Sequence, residues 1–316
     1  MKRYIIKRVL LALLITFFTS IFAFSLLHIL PGDPARLALG FEASEEDVEA
    51  LRHQLNLDKP LITQYILWIK GLLSGNAGYS ISFKMPINYM IHTYLPRTLA
   101  IGIPALILAT PIGIIAGVTC SVKRGKLVDK ILTVCNTTIM GMPVFWLSIL
   151  AVFIFASKMK LLPTYGYVSP QEDFKGYMQH AILPVVCMSM GMMVTICRNT
   201  RTYMLDAINA DYIRTAKANG LPPLSVILKH ALKNALIPIL TVVGMQVRTA
   251  IGGALIIERV FNIPGLGMLA TDSVIARDYQ VVMFCVMIMG VFTIVTNMIV
   301  DILYGIVDPR IKFESR

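Results

Sequence analysis

The 316-residue chain is 56% hydrophobic and only 15% charged, with a mean hydropathy of +0.70. Soluble domains carry roughly a quarter of their residues as charges, so composition excludes an ordinary soluble protein. The net charge of +11 would suit a nucleic-acid partner, but the basic residues sort by side of the apolar segments, which makes the excess a topology signal.

Lys2, Arg3, Lys7 and Arg8 precede the first apolar run, 9–32, which is charge-free for 24 residues. That is too long for the core of a cleavable secretion signal and long enough to cross a hydrocarbon layer about 30 Å thick, so it reads as a transmembrane span. The next loop opens on the turn Leu30-Pro31-Gly32-Asp33-Pro34. Ser44, followed by Glu45, Glu46 and Asp47, predicts a capped helix start, with Val48, Leu51 and Leu55 at helical spacing. Pro60 opens a second helix whose apolar stretch, 61–69, is too short to span. It predicts an amphipathic helix at the outer interface, with Tyr65 and Trp68 at headgroup depth. This loop is either a docking surface for an external partner or a cap on the bundle.

Five further runs, 98–122, 131–157, 176–197, 234–257 and 279–300, complete six candidate spans; only 234–257 holds a charge, Arg248. Helices and closed barrels alone satisfy the backbone in lipid, so the expected fold is an all-α integral membrane protein with about six transmembrane helices. The side holding both termini and the loops 123–130 and 198–233 has 17 basic against 6 acidic residues, and the opposite side 11 against 12. The positive-inside rule therefore puts both termini in the cytoplasm. Cys120, Cys135, Cys187, Cys197 and Cys285 all fall in apolar runs without CxxC spacing and read as small core hydrophobes.

Within the cytoplasmic loop 198–233 the sequence Asp211-Tyr212-Ile213-Arg214-Thr215-Ala216-Lys217-Ala218-Asn219-Gly220-Leu221-Pro222-Pro223 predicts a short helix closed by Gly220, a proline break, and a second helix through Leu232. In the fifth span Arg248 stands ten residues before Glu258, about 15 Å below the outer end by helical rise. No other span has a carboxylate to neutralise it. It faces either a polar path through the membrane segments or a neighbouring subunit. Thr241, Met245, Arg248, Thr249 and Gly252 share one helical face, and Gln246 is a neighbouring polar candidate; close helix packing is the plainer reading of the same residues. The run Met188-Ser189-Met190-Gly191-Met192-Met193 points its sulfurs around the helix, and the five histidines lack ligand spacing, so no metal site is expected.

Arg214-Thr215-Ala216-x-x-x-Gly220 resembles the "EAA-x3-G" loop of ABC importer permeases, in the form found in the dipeptide, oligopeptide and nickel branch. The likeness extends to Leu30-Pro31-Gly32-Asp33-Pro34, Pro96-Arg97-Thr98-Leu99, Asn234-Ala235-Leu236-Ile237-Pro238, Glu258-Arg259-Val260-Phe261-Asn262-Ile263-Pro264-Gly265-Leu266-Gly267 and Asp308-Pro309-Arg310. Arg214 replaces the acid of the triplet, and His230-Ala231-Leu232-Lys233 ends without the proline of the general pattern. The resemblance implies a type I importer permease of the cell (inner) membrane: tail and first span over 1–32, an extracytoplasmic loop over 33–94, a five-helix core over 95–308 and a tail over 309–316.

It also implies that the loop docks as a coupling helix into an ATP-binding subunit. Asp211, Thr215 and Ala216 belong to it, with Tyr212 and Leu221 as apolar anchors, Arg214 and Lys217 as a charged rim, and Gly220 allowing close approach. Glu258, Arg259, Phe261 and Pro264 are candidate contacts for an extracytoplasmic binding protein. The sequence contains no Gly-x4-Gly-Lys-[Ser/Thr], so no cofactor is expected on this chain. The implied assembly has two ATP-binding subunits that use ATP and Mg, a second homologous permease subunit and a substrate-binding protein, set in lipid, with no nucleic acid. The implied cargo is a di- or oligopeptide; nickel, a metal chelate or glutathione are the alternatives within the family. An ion-coupled secondary transporter is the alternative outside it, and usually needs intramembrane acids that the other spans lack.

Overall fold

The computed structural model describes residues 2–29, 33–40 and 42–307. Leu30-Pro31-Gly32 and Asp308-Pro309-Arg310 lie outside the described residues. In chain order the helices are α1 (Lys2–Ile29), α2 (Pro34–Leu39), α3 (Glu45–Gln54), α4 (Leu61–Leu73), α5 (Ile87–Val122), α6 (Leu127–Gly141), α7 (Val144–Lys158), α8 (Phe174–Asn209), α9 (Asp211–Ala218), α10 (Pro223–Gly252), α11 (Ala254–Phe261), α12 (Leu266–Ile275) and α13 (Tyr279–Val307). Strands β1 (Tyr79–Ser80) and β2 (Met85–Pro86) form a small antiparallel hairpin. Helices α1, α5, α8, α10 and α13 are long and apolar enough to cross a membrane, and the crossings number up to seven if each of two bent helix pairs counts as one. The all-α membrane fold is the one expected.

Three spans differ from their expected form. The run 131–157 is not one straight helix: α6 and α7 meet at 104°. Pro143 disfavours the helical conformation at the residue before it, and Met142 is extended, with φ −95° and ψ 129°. The last seven residues of α7, Val152–Lys158, are wound as a π-helix. The run 176–197 is the apolar middle of a 36-residue helix, about 54 Å long against a hydrocarbon core of about 30 Å. Residues 198–209 keep the helix going because nothing breaks it before Ala210, where ψ is 150°. Likewise the expected separate helix before the fifth span is the start of α10, which begins at Pro223 and runs through π-helical turns at Val226–Leu232 into the apolar run. Polarity marks where lipid ends; it does not mark where a helix ends.

By its internal contacts the chain forms two units, one built on Leu99–Ile263 and one on Ile6–Thr98 with Pro264–Val295. In the first, α8 is the central helix, with 61% of its span buried against 33% or less in the other four. Its core includes Ile101, Ala105 and Ala109 of α5, Cys187, Met192 and Ile196 of α8, and Ile257 and Phe261 of α11. Helix α5 approaches α8 closely through two glycines four residues apart: a Cβ on Gly113 would lie 2.8 Å from Ile196 Cβ, and one on Gly117 2.6 Å from the Cys197 carbonyl oxygen. At one end of this unit the buried Asp129 accepts Arg201 Nε at 3.1 Å, Arg201 Nη2 at 3.0 Å and the Gly125 amide at 2.9 Å, tying α6, α8 and the loop between α5 and α6 together.

In the second unit Ser44 caps α3 by accepting the Asp47 amide at 3.1 Å, as expected. Helix α4 forms as expected, but its aromatic side chains turn inward. The Tyr65 hydroxyl is 2.7 Å from Ser20 Oγ, and the Phe24 ring lies 5.4 Å from Tyr65 and 5.9 Å from Trp68. Ile62, Ile66 and Leu73 face outward instead. Tyr65 thus finds a polar and a ring partner on α1, and Trp68 a ring partner. The β-hairpin is pinned by buried Asp278, which accepts Ser80 Oγ at 2.6 Å, the Ser82 amide at 3.2 Å and, at the start of α13, the Val281 amide at 3.3 Å.

Candidate functional site

Helix α9 is positioned by its two ends. Ala210, extended, turns the chain out of α8, and Asp211 places an acid in the first turn, where it complements the helix dipole. At the other end Gly220 takes φ +74°. Its amide donates to Lys217 O at 3.0 Å while the Leu221 amide donates to Ala216 O at 3.3 Å, the paired bonds of a Schellman cap that needs a left-handed residue there. Pro222 is extended and Pro223 opens α10, where its missing N–H costs nothing.

Between the caps, Ile213 and Ala216 are buried in a cluster with Met204 and Ala207 of α8 and Val226, Ala231, Ala235 and Ile239 of α10. Helix α9 is therefore fixed to both of the long helices that flank it in sequence. Of the coupling-loop residues, Asp211, Tyr212, Arg214, Thr215, Lys217, Gly220 and Leu221 are exposed. Ala216 is buried and belongs to the joint with α8 and α10. The outer surface presents Tyr212 at 42%, Leu221 at 38% and Leu224 at 67% exposure. Arg214 and Asp211 lie 3.5 Å apart, both largely in solvent, a pair worth little. Ile213 and Leu224 were not singled out in the sequence. The signal for the first is its three-residue spacing from Ala216, and for the second a leucine directly after the proline pair of a polar loop.

On α10 the proposed pathway face is partly assembled. Met245, Arg248, Thr249 and Gly252 are exposed on one side, and Thr241 is half-buried, its hydroxyl donating to Ile237 O at 3.3 Å. Gln246 is 8% exposed and joins the opposite, buried face with Val242 and Ala250, because two residues of helix turn it about 200° from Arg248. No described residue forms an ion pair with Arg248. The ten-residue rise from Arg248 to Glu258 is interrupted, since α10 stops at Gly252, a turn beyond Arg248, and α11 begins at Ala254.

The external candidates divide. Arg259 is exposed and Pro264 half-buried, its carbonyl accepting Arg97 Nη1 at 3.5 Å. Glu258 is 0% and Phe261 2% exposed, so neither offers a surface to another protein. Phe261 packs in the core and its carbonyl accepts the Gly166 amide at 2.9 Å. The 258–267 motif is thus largely a packing element: Ile263 is buried, and the Leu266 amide donates to Thr98 Oγ1 at 2.7 Å.

Five helices long and apolar enough to cross a membrane, with a short helix fixed between two of them, define a multi-pass membrane protein. Residues 109–313 match the family described as binding-protein-dependent transport system inner membrane component, and residues 1–101 match the N-terminal region of such components. The chain belongs to this family. It is 34% identical over 310 residues to a probable peptide ABC transporter permease protein of Sinorhizobium fredii, covering 98% of this chain and 99% of that one. It is 35% identical over 317 residues to a putative peptide permease protein of Brucella suis, covering 99% of each. Against a dipeptide transport system permease protein of Alkalihalophilus pseudofirmus the identity is 34% over 333 residues, covering 99% of this chain and all of the other. Among solved structures, an inward-facing MetNI methionine ABC transporter chain superposes with a TM-score of 0.59 at 17% identity, covering 70% of this chain and 97% of that one. The fold is that of a type I importer permease.

Proposed function

We propose that this chain is one permease subunit of an ATP-driven importer for di- or oligopeptides, working with a second permease subunit, two ATP-binding subunits that hydrolyse ATP with Mg, and an extracytoplasmic binding protein that delivers cargo. The observation that best supports the reading is the apolar joint beneath α9. An exposed surface of Tyr212, Leu221 and Leu224 edged by Arg214 and Lys217 has the composition of a docking patch. Ile213 and Ala216 behind it would pass a displacement of that patch to α8 and α10 together. On this reading α10 presents Met245, Arg248 and Thr249 to the route, and Arg259 and Pro264 are the remaining candidate contacts for the binding protein. The peptide assignment rests on the names of the relatives and on an arginine that repels a bare divalent cation.

Cysteines introduced at Tyr212 and Leu221 should crosslink to an ATP-binding subunit in the assembled transporter, and absence of any crosslink would remove the docking assignment. Uptake by this chain alone, driven by an ion gradient, would overturn the importer reading.

A further inference from the structure

A cleft of about 750 Å³ opens between α6 and α8, within the size range of small-solute sites. Its walls are two matched polar stripes. From α6 come Thr133, Asn136, Thr137 and Met140, and from α8 come Thr195, Arg198, Asn199 and Thr202. Each set has the spacing i, i+3, i+4, i+7, which places four side chains on one helical face. The threonines are already satisfied: Thr137 donates to Thr133 O at 2.9 Å, Thr195 to Gly191 O at 3.0 Å and Thr202 to Arg198 O at 3.2 Å. They therefore line the walls without needing a ligand.

The arginines differ. Arg201 is held by Asp129 in two hydrogen bonds, so its charge is compensated. Arg198 touches the Met140 sulfur at 2.6 Å, and no described residue gives it a carboxylate. A concave polar wall with one uncompensated guanidinium attracts an anion, and a carboxylate matches its planar fork. Arg198 is eleven residues from the end of α8, about 17 Å along the helix. Since α9 is joined to α8, a shift of α9 acts on one wall of the cleft.

We propose that the α6–α8 cleft is a water-filled segment of the cargo route, and that Arg198 receives the free carboxylate of the solute passing through it. The proposal rests on the importer reading above for its cargo but not for its anion chemistry. The same chemistry could be met by a lipid phosphate, and the test separates the two.

In inside-out vesicles holding the full transporter with Cys135→Ser, Thr137→Cys is treated with membrane-impermeant methanethiosulfonates carrying either a sulfonate or a trimethylammonium group. Labelling is read by mass on the peptide containing the introduced thiol. Each rate taken relative to that with a free thiol in solution, the sulfonate should react roughly tenfold faster. Arg198→Gln should abolish the difference and Arg198→Lys keep it. No reaction with either reagent means that lipid fills the cleft, and equal reaction means no anion preference; both overturn the proposal.

A second arm compares uptake of a peptide with a free C-terminus and the same peptide amidated. Arg198→Gln should raise KM about tenfold for the acid and leave the amide unchanged. Equal effects on both forms would overturn the carboxylate role. A wild-type transporter that carries neither form removes the peptide reading and with it the carboxylate arm, while the labelling ratio still decides whether the cleft takes anions.

Discussion

Ile213 is fully enclosed, and it is the residue on which the proposed coupling turns. Ile213→Ala would open a cavity between α8, α9 and α10, at a cost of about 2–4 kcal/mol locally. The expected result is a transporter that still binds its ATP-binding subunits and hydrolyses ATP but uses much more ATP per peptide moved. Tyr212→Ala should instead weaken subunit association while leaving the joint intact. Measuring bound ATPase and ATP per transport event for both variants separates the two roles. A different single-residue dependence falls on Asp129. Asp129→Asn leaves Arg201 without its counter-charge and turns one of the two acceptor oxygens that serve Gly125 and Arg201 into a donor. The expected loss is about 3 kcal/mol, visible as a drop in thermal unfolding temperature in detergent. At this scale the sequence was a partial guide. The exposed polar residues of the loop 198–233 were legible from their types, whereas Gln246 was a candidate by type alone, and the helical period that sets it opposite Arg248 is what buries it. Glu258 and Phe261 were misread because a charged residue beside an aromatic resembles a surface patch until the core that encloses it is known.

Among the elements, α5 and α8 depend on close approach. Valine at Gly117 would need room that the Cys197 carbonyl and the Thr200 side chain occupy, since a Cβ there already lies 2.6 Å from each. Gly117→Val should force the two helices apart and cost about 1–3 kcal/mol or more. Gly191, in the middle of α8, is the matched control, because a methyl group added there would meet nothing within 4 Å. Gly191→Ala should be neutral or stabilise by up to about 1 kcal/mol. Folded yield and thermal unfolding of the pair check this. Element existence was well marked in the sequence, because charge-free runs of span length have few other uses in water. Element limits were not. The bend at Gly141-Met142-Pro143 was written in the chain and overridden by an unbroken apolar run, and the polar extension of α8 and the early start of α10 look like loop to any reading based on hydropathy. The stripe of Thr133, Asn136 and Thr137 likewise sits inside an apolar run, where uncharged polar residues barely change the average.

For the whole molecule, one buried carboxylate ties the β-hairpin to the start of α13. Asp278 gathers the hairpin and the first turn of α13 through Ser80, Ser82 and Val281. Asp278→Asn keeps the size but loses the charge that strengthens these bonds. Protease added to the outside of cells or right-side-out vesicles should then cut within residues 79–86 faster than in the wild type, with the membrane helices left intact. An unchanged cutting rate would mean that apolar packing around Ile87, Leu266 and Val281 holds the hairpin without it. Nothing in the sequence paired residue 80 with residue 278, because the two are joined only by the fold.

The double attachment of α9 has a mechanical corollary. A helix hinged on one neighbour can swing and lose part of any imposed motion to its own pivot, whereas a helix clamped by a single apolar cluster to two neighbours has little slack. Stroke applied at Tyr212 and Leu221 would reach α8 and α10 with small loss and in phase. The joint would then act as a stiff transmission whose efficiency is set by side-chain packing density, so that a cavity of a few methyl groups lowers the yield of transport per ATP before it lowers the stability of the fold.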